Sequence, residues 1–266
     1  MRDTQDGKGV VLITGASSGI GAATARWFWA RGWRLVLWAR RMDRLHLLKA
    51  ELLGEMARQD LCSQDIWLGC VDVRDHEAVQ QAYKDIPSNL TPVDVLLNNA
   101  GLSQGLQPVH GSDPLDVDRV VDTNLKGLIH VTRAVVPAMQ ARGKGQVIHV
   151  SSTAGKETYP GGGIYCASKF AVEAIAKSMR QELLPYGIKV GTVSPGMVET
   201  EFSLVRFKGD TQKAEEVYRG LDPLMAEDVA EAVGFMATRP EHVQIADLIL
   251  MPRAQAGSGM LHRREG

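Results

Sequence analysis

Cysteine is scarce in this sequence, and long runs of apolar residues are missing. The three cysteines, Cys62, Cys70 and Cys166, form no CxxC pair, which argues against a disulfide framework and favours reduced thiols. No stretch reaches the ~20 consecutive apolar residues that a membrane-spanning helix needs. Residues 1–6 carry charges with no apolar segment behind them, so the start does not resemble a signal peptide. These absences predict a cytoplasmic protein without a membrane partner.

An excess of charge of one sign is also missing. The chain has 30 Lys and Arg against 31 Asp and Glu, a net charge of -1, and nothing in that balance favours capture of nucleic acid. The seven histidines show no HExxH or comparable spacing, so no metal ion is predicted. With 44% hydrophobic and 23% charged residues, residues 1–266 are expected to form a single globular domain.

What the sequence does contain is a regular alternation of short apolar segments with longer helical ones. Short apolar segments are typical of strands buried on both faces of a parallel sheet. The alternation therefore predicts a doubly wound α/β fold with about seven strands. The predicted strands are Val10–Thr14, 35–38, 66–71, 93–97, 146–150, 189–193 and 248–251, and the predicted helices are 20–31, 114–141 and 164–184.

A glycine-rich segment, TGASSGIG at residues 14–21, follows the first predicted strand and opens the first predicted helix. Glycines let a pyrophosphate approach the backbone, and a helix N-terminus offers free N–H groups and the positive end of the helix dipole. The spacing is GxxxGxG rather than the GxGxxG fingerprint, and the alternative is a glycine-rich turn without a ligand. The residues expected to bind a dinucleotide here are Gly15, Ser17, Ser18, Gly19, Ile20 and Gly21.

Two arginines, Arg40 and Arg41, follow the second predicted strand. A site for NAD would favour an acidic residue there, to hold the ribose hydroxyls of the adenosine. Guanidinium groups instead suit a 2′-phosphate, which they bind with two charge-assisted hydrogen bonds. The sequence therefore predicts NADP as the cofactor, the alternative for the arginines being the solvated start of a helix.

A tyrosine and a lysine four residues apart, Tyr165 and Lys169, lie at the start of the predicted helix 164–184. This spacing puts them on one helical face, where the ammonium would lower the phenol pKa and make Tyr165 a usable acid or base. Ser152 follows the fifth predicted strand, at the edge of the sheet where ligands of open α/β sheets bind. A lone YxxxK is common on helix surfaces, so the weight comes from the combination with Ser152 and the glycine turn.

These motifs together resemble the short-chain dehydrogenase/reductase family, in its compact single-domain branch. The resemblance covers residues 9 to about 200 and implies a Rossmann-like sheet with strand order 3-2-1-4-5-6-7 in an NADP-dependent alcohol dehydrogenase or carbonyl reductase. A strand-to-loop turn is the alternative for residues 98–101. The matching segments are 14–21, Asn98-Asn99-Ala100-Gly101, Asn124, Ser152, Tyr165, Lys169 and Pro195-Gly196.

The resemblance implies a role for each matching residue. Tyr165 would be the general acid/base, and Ser152, 13 residues before it, would orient the substrate oxygen. Lys169 would bind the nicotinamide ribose and lower the pKa of the tyrosine, and Asn124 would anchor a water molecule of a proton relay. The further cofactor-binding residues it implies are Asp72 and Val73 beside the adenine, Asn99, Pro195 and Gly196.

The last third of the chain is similar to the subgroup that oxidises serine and other 3-hydroxy acids with NADP, at residues 200–210 and 250–253. A substrate lid is expected at about 196–222, with Arg206 as a clamp for a substrate carboxylate or, alternatively, as a solvated or salt-bridged lid residue. The loop 156–160 does not match that subgroup. A reductase of ketosteroids or other bulky ketones, and an NADP-binding regulator without catalysis, therefore remain alternatives.

The family usually assembles as a tetramer through the two long helices, so the resemblance implies a homotetramer or homodimer. The helix 164–184 carries a stripe of Ala171, Ile175, Met179 and Leu183 away from the predicted site. That stripe fits a subunit interface, and it fits the chain's own core equally well.

Overall fold

The computed structural model describes residues 9–54 and 62–264, so the expectation for residues 1–6 lies outside the described residues. The strands are β1 Val10–Thr14, β2 Arg34–Ala39, β3 Ile66–Cys70, β4 Val95–Asn98, β5 Gly145–Val150, β6 Ile188–Pro195 and β7 Asp247–Leu250. They form one seven-stranded sheet in the order β3-β2-β1-β4-β5-β6-β7. Each neighbouring pair runs parallel, which confirms the predicted fold class and the implied strand order.

Helices cover both faces of the sheet. They are α1 Gly19–Trp29, α2 Met42–Gly54, α3 His76–Lys84, α4 Pro114–Val121, α5 Leu128–Arg142, α6 Gly163–Glu182, α7 Phe202–Arg206, α8 Thr211–Glu216 and α9 Ala226–Ala237. Successive side chains of a strand point to opposite faces, so Val11 and Ile13 of β1 pack with α1, α2 and α9. Val10 and Leu12 pack on the other face with α3, α5 and α6. Helices α2, α3, α7, α8 and α9 lie outside the predicted ones.

The segment predicted as one helix over 114–141 is interrupted. Asp113 caps α4 by accepting a hydrogen bond from the backbone N–H of Leu115, and a π-helical turn, Asp122–Gly127, then separates α4 from α5. The wider turn brings Asn124 into the interior, where it is 2% exposed. Apolar spacing did not reveal this interruption, because the buried residues on either side of it continue a helical pattern. Short π-helical turns of this kind are frequent at functional sites.

The carboxyl ends of parallel strands meet at one edge of a sheet, and the topology places the candidate residues there. The glycine turn follows β1, Arg40 follows β2, Asn99 follows β4 and Ser152 follows β5. Strand β6 runs two residues past its predicted end and pairs Pro195 with Leu250 of β7. This extension places the Pro195 carbonyl beside Ser152, at an Oγ–O distance of 3.4 Å.

Across the described part of the chain, no helix combines the length and the apolar character needed to cross a membrane.

Candidate active site

A cavity of about 630 Å³ opens at the carboxyl edge of the sheet, a size typical of ligand pockets. Gly21 and Asn124 are the two predicted site residues that lie outside its lining. The others line one continuous wall: Gly15, Ser17, Ser18, Gly19, Ile20, Arg40, Arg41, Asp72, Val73, Asn99, Ser152, Tyr165, Lys169, Pro195, Gly196 and Arg206.

The glycine turn is held in place by the segment that follows β4. Asn99 Nδ2 donates to the carbonyl of Thr14 at 2.8 Å. The Thr14 hydroxyl accepts from the backbone N–H groups of Asn99 and Ala100, each at 3.0 Å. Asn99 therefore shapes the turn, and Thr14 is a positioning residue whose role the motif alone did not indicate.

The turn fits a dinucleotide pyrophosphate. A Cβ on Gly15, whose φ is +66°, would lie 3.0 Å from the Ala100 Cα, and a Cβ on Gly21 would lie 2.4 Å from the Gly15 carbonyl oxygen. Ser18 precedes α1, but its hydroxyl accepts no hydrogen bond from the backbone N–H groups of that helix. The first N–H groups of α1 can therefore bind another acceptor. A close backbone approach beside an uncapped helix N-terminus is the arrangement that binds phosphates.

Gly21→Ala is expected to weaken NADP binding by about tenfold or more, because backbone must shift where a Cβ would lie 2.4 Å from a carbonyl oxygen. Titration calorimetry with NADP+ measures the effect. Gly111→Ala is the matched control, since a Cβ there meets nothing within 4 Å. Equal NADP+ affinity of the two variants would contradict the prediction.

Arg41 lies between the glycine turn and the segment after β6. Its NH2 donates to the Ser18 hydroxyl at 2.7 Å and its NH1 to Glu201 at 3.0 Å, while Ser17 Oγ lies 3.3 Å from NH2. Arg40 is exposed. Arg44 contacts the second oxygen of Glu201, and neither Arg44 nor Glu201 was singled out from the sequence, because they lie far apart in the chain.

Asp72 and Val73 form the neighbouring wall. Arg74 donates to the Asp72 carboxylate through Nε at 2.9 Å and NH2 at 2.6 Å, and its hydrogen bond holds the pKa of that carboxyl below its usual range. Val73 is 7% exposed and lies against Gly127 of the π-helical turn, where a Cβ would be 2.6 Å from its Cγ2. Both residues are thus rigidly placed beside the cavity.

Ser152 and Tyr165 are brought together from β5 and α6. The Ser152 hydroxyl accepts from the backbone N–H of Ala154 at 3.1 Å. Burial raises the pKa of Tyr165, and a hydrogen bond with Ser152 opposes that shift. The pKa direction differs from the expected lowering by Lys169, because removal of the phenol from water outweighs its charged neighbours.

Lys169 lies deep beneath the same wall, 6% exposed. Its ammonium donates to the carbonyl of Val150 at 2.8 Å and lies 5.8 Å from the centre of the Tyr165 ring. Burial lowers the pKa of Lys169 to about 8, against the attraction of Glu173. His149, in the middle of β5, is held neutral because burial, with a smaller effect of Lys169, lowers its pKa to about 3, in keeping with a packing role.

Both polar atoms of the Asn124 side-chain amide are hydrogen-bonded to other groups of the protein. Its Oδ1 accepts from the backbone N–H of Leu102 at 2.8 Å, and its Nδ2 donates to the Leu102 carbonyl at 2.8 Å and to the Ser168 hydroxyl at 3.0 Å. It thereby joins the π-helical turn, the loop after β4 and α6. A proton-relay water at Asn124 stays a prediction, since these contacts give the side chain a positioning role.

Arg206 lies at the end of α7 and lines the cavity beside Tyr165. Its NH2 donates to the Tyr159 hydroxyl at 2.7 Å and its Nε to the Gly105 carbonyl at 3.3 Å. Its guanidinium carbon lies 5.9 Å from the centre of the Tyr165 ring, and the Phe202 ring centre is 5.5 Å from that ring. Tyr159 belongs to the loop 156–160, which does not match the 3-hydroxy acid subgroup, so residue spacing did not indicate its contact with Arg206.

The predicted lid region, 196–222, contains α7 and α8. The end of the chain packs on its first residues: Gln255 Oε1 accepts from the backbone N–H of Met197 at 2.8 Å. A Cβ on Gly196 would lie 2.1 Å from that oxygen. Gly196 is therefore required for the close approach of the chain's last segment to the cavity.

The comparisons with known proteins agree with this geometry. Residues 9–210 match the family model described as short chain dehydrogenase. The chain is 40% identical over 256 residues to the NADP-dependent 3-hydroxy acid dehydrogenase YdfG of Salmonella typhi, covering 96% of this chain and 99% of that protein. It is 42% identical over 257 residues to sulfoacetaldehyde reductase 2 of Chromohalobacter salexigens, covering 96% and 99%. The closed form of serine dehydrogenase complexed with NADP+ matches with a TM-score of 0.87 at 37% identity, covering 96% of this chain and 100% of that one.

A parallel sheet, a glycine turn that fits a pyrophosphate and a Ser-Tyr-Lys cluster at the carboxyl edge of the sheet are typical of a nicotinamide-dependent oxidoreductase. The chain belongs to the short-chain dehydrogenase family. It is an NADP-dependent oxidoreductase close to the 3-hydroxy acid dehydrogenases, which confirms the predicted class and cofactor.

Proposed function

We propose that this enzyme interconverts a small 3-hydroxy acid, such as serine, with its carbonyl form, and that Arg206 holds the anionic end of the substrate. The observation that carries the proposal is the Arg206–Tyr159 pair, which places a fixed cation within 5.9 Å of the Tyr165 ring centre. Relatives are named for 3-hydroxy acids and for sulfoacetaldehyde. Each of these molecules carries an anionic group close to the reacting carbon, which fits one cation near the tyrosine.

The guanidinium group of Arg206 is suited to hold the anionic end of the substrate. Nε is turned to Gly105 and NH2 to Tyr159, and this anchoring limits the side-chain entropy that is lost when an anion binds. A carboxylate or sulfonate meets a planar donor set there, with the Tyr159 hydroxyl as a second group at the same place. Residues 196–222 are proposed to act as the lid that brings Arg206 over the substrate and excludes water.

Tyr165 is proposed as the general acid/base. In carbonyl reduction it gives its proton to the substrate oxygen, and Ser152 hydrogen-bonds the same oxygen as negative charge develops there. Bound NADP(H) supplies or accepts the hydride. The Lys169 ammonium, 5.8 Å from the ring centre, stabilises the phenolate that remains after the proton has left. The pyrophosphate would rest on the glycine turn, the 2′-phosphate on Arg40 and Arg41, and the adenine between Asp72 and Val73.

Arg206→Ala is expected to lower kcat/KM for a 3-hydroxy acid by about 10- to 100-fold, the value of a charge-assisted hydrogen bond. A neutral alcohol of similar size should change little. Steady-state kinetics with both substrates measure the difference. Arg219→Ala is the control, since it removes the same charge from the lid at a side chain that is 74% exposed.

A substrate panel tests the proposal as a whole. Serine, 3-hydroxypropionate and a hydroxyalkyl sulfonate should turn over with NADP+, and a neutral short alcohol should be much poorer. Efficient reduction of a ketosteroid or another bulky neutral ketone, with weak activity on the acids, would replace this proposal with the bulky-ketone alternative. NADP+ binding by calorimetry with no turnover of any substrate would indicate a regulator.

We also propose a cytoplasmic homotetramer, or a homodimer, that assembles through the long helices. Ile129 of α5 and Phe170 of α6 are 36% and 42% exposed, which leaves apolar surface on those helices. Of the stripe considered above, Met179 and Leu183 instead belong to the chain's own core. Light scattering at working concentration decides the assembly, and a monomer would contradict it.

A further inference from the structure

The Glu201 carboxylate lies between the proposed cofactor-binding part of the cavity and its proposed substrate-binding part. Glu201 accepts from Arg41 NH1 at 3.0 Å through one oxygen and pairs with Arg44 through the other. Arg41 and Glu201 line the cavity together with the glycine turn. Glu201 immediately precedes α7, the helix that carries Phe202 beside Tyr165 and Arg206 beside Tyr159.

The chemistry of this pairing conflicts with the binding of a phosphate. Arg41 has one arm on Ser18 and the other on Glu201, so a 2′-phosphate that reaches Arg41 lies beside the Glu201 carboxylate. Phosphate and carboxylate seek the same guanidinium donors, and their like charges repel each other at this range. The NH1 donor of Arg41 can therefore bind the phosphate only if Glu201 releases it.

A purely stabilising role does not account for the arrangement. The side chains of Glu201, Arg41 and Arg44 are 38%, 40% and 41% exposed, and ion pairs at such exposure add little to stability. Their position instead suggests a role in ligand binding, because the Arg41–Glu201 pair connects the segment after β2 with the residue that precedes α7. A ligand that breaks it acts on the lid from the cofactor side.

We infer that Glu201 is a cofactor-selectivity residue, whose carboxylate competes with the 2′-phosphate of NADP for Arg41 and Arg44. The inference rests on the proposed placement of the 2′-phosphate at Arg41. Glu201 lowers the affinity for NADP below what the arginines alone would give, while NAD, which lacks that phosphate, does not meet the competition. Arg44 becomes a further cation for the 2′-phosphate once Glu201 releases it.

Titration calorimetry with NADP+ and NAD+ on the wild type and on Glu201→Gln tests the inference without any catalytic readout. The variant should bind NADP+ about three- to fivefold more tightly, the upper part of the range expected for one half-exposed charge interaction. Its affinity for NAD+ should stay within about twofold. The gain should shrink at high salt, because screening weakens the competition. Unchanged or weaker NADP+ binding by the variant would overturn the inference.

Two further variants separate the possible failures. Glu199→Gln removes the same charge two residues away, at an exposed position, and should change neither affinity; an equal gain there would reduce the effect to net charge and overturn the role of Glu201. Arg41→Ala should weaken NADP+ binding and leave NAD+ binding unchanged. If Arg41→Ala leaves NADP+ binding intact, the proposed phosphate site itself is wrong, whereas a loss with Arg41→Ala and no gain with Glu201→Gln overturns the inference alone.

Discussion

Tyr165→Phe is expected to lower kcat by about 10²- to 10⁴-fold, the usual contribution of a positioned acid or base. The substitution removes the hydroxyl that meets Ser152 and retains the ring that packs near Phe202 at 5.5 Å. The fold and NADP+ binding should therefore survive. Stopped-flow or steady-state absorbance of NADPH gives the rate, and calorimetry gives the cofactor affinity.

Ser152→Ala is the companion variant. It should also lower kcat, because Ser152 hydrogen-bonds Tyr165 and, in the proposed mechanism, would hydrogen-bond the substrate oxygen on which charge develops. Combined with Tyr165→Phe it should cost much less than the product of the two separate effects, since the residues act as a unit. A Tyr165→Phe variant that retains most of its turnover would remove this tyrosine from the mechanism.

The two directions of the reaction should differ in their response to pH. Because burial raises the pKa of Tyr165 above its ordinary value, the phenol stays protonated through neutral pH and is ready to donate a proton in carbonyl reduction. Alcohol oxidation needs the phenolate and should speed up as the pH rises. Profiles of kcat/KM in both directions measure this, and an oxidation rate that is flat from neutral to alkaline pH would contradict it.

Lys169→Met is expected to remove most of the activity and, near neutral pH, to make the protein more stable. Activity should fall by about 10²-fold or more, because in the proposed mechanism the ammonium stabilises the charge that develops on Tyr165. Burial lowers the pKa of Lys169 to about 8 from 10.5, which corresponds to a cost of about 3 kcal/mol for keeping the charge buried. Loss of the hydrogen bond to Val150 destabilises the variant by about 1–2 kcal/mol. The free energy of unfolding is therefore expected to rise by about 1–2 kcal/mol at pH 7.

The stability gain should depend on pH in a defined direction. The pKa of Lys169 is lower in the folded protein than in the unfolded chain, so between about pH 8 and 10.5 the unfolded chain binds more protons. The free energy of unfolding of the wild type therefore rises with pH across that window. The Lys169→Met variant has no such proton to bind, so its advantage in stability should shrink as the pH rises and should reverse near pH 10, where the wild type no longer has a buried charge and still has the hydrogen bond to Val150.

Urea unfolding at pH 7 and at about pH 10 measures both parts of this prediction. Leu184→Met serves as a control, since it introduces the same side chain at a position that is 74% exposed. A Lys169→Met protein that is less stable than the wild type at pH 7 would show that the lysine contributes more by its contacts than its burial costs.

Much of the site could be predicted from local sequence. TGASSGIG, the segment after β5 and YxxxK are each short, and their chemistry follows from residue type and spacing. Alternation of apolar segments predicted the parallel sheet because strands buried on both faces must be apolar throughout. The topology of such a sheet then brings Gly15, Ser152 and Tyr165 to one edge, although they lie up to 150 residues apart in the sequence.

Other features depended on contacts between distant segments. The π-helical turn at Asn124 exists where the amide meets the Leu102 backbone, and Tyr159 gains its role by reaching Arg206. The direction of the Tyr165 pKa was also decided in three dimensions, since spacing shows that a lysine is near and says nothing of how much water is excluded.

The sequence by itself determined the fold class, the cofactor and the class of enzyme. It also predicts the reacting residues, because backbone geometry, phosphate binding and proton transfer each need particular residue types at short spacing. Only the tertiary structure decided which charged and polar side chains meet. Glu201 meets Arg41 across 160 residues, and Arg206 meets Tyr159 across 47. Pairings over such separations follow from how helices and loops pack against the sheet, and packing is a property of the folded chain.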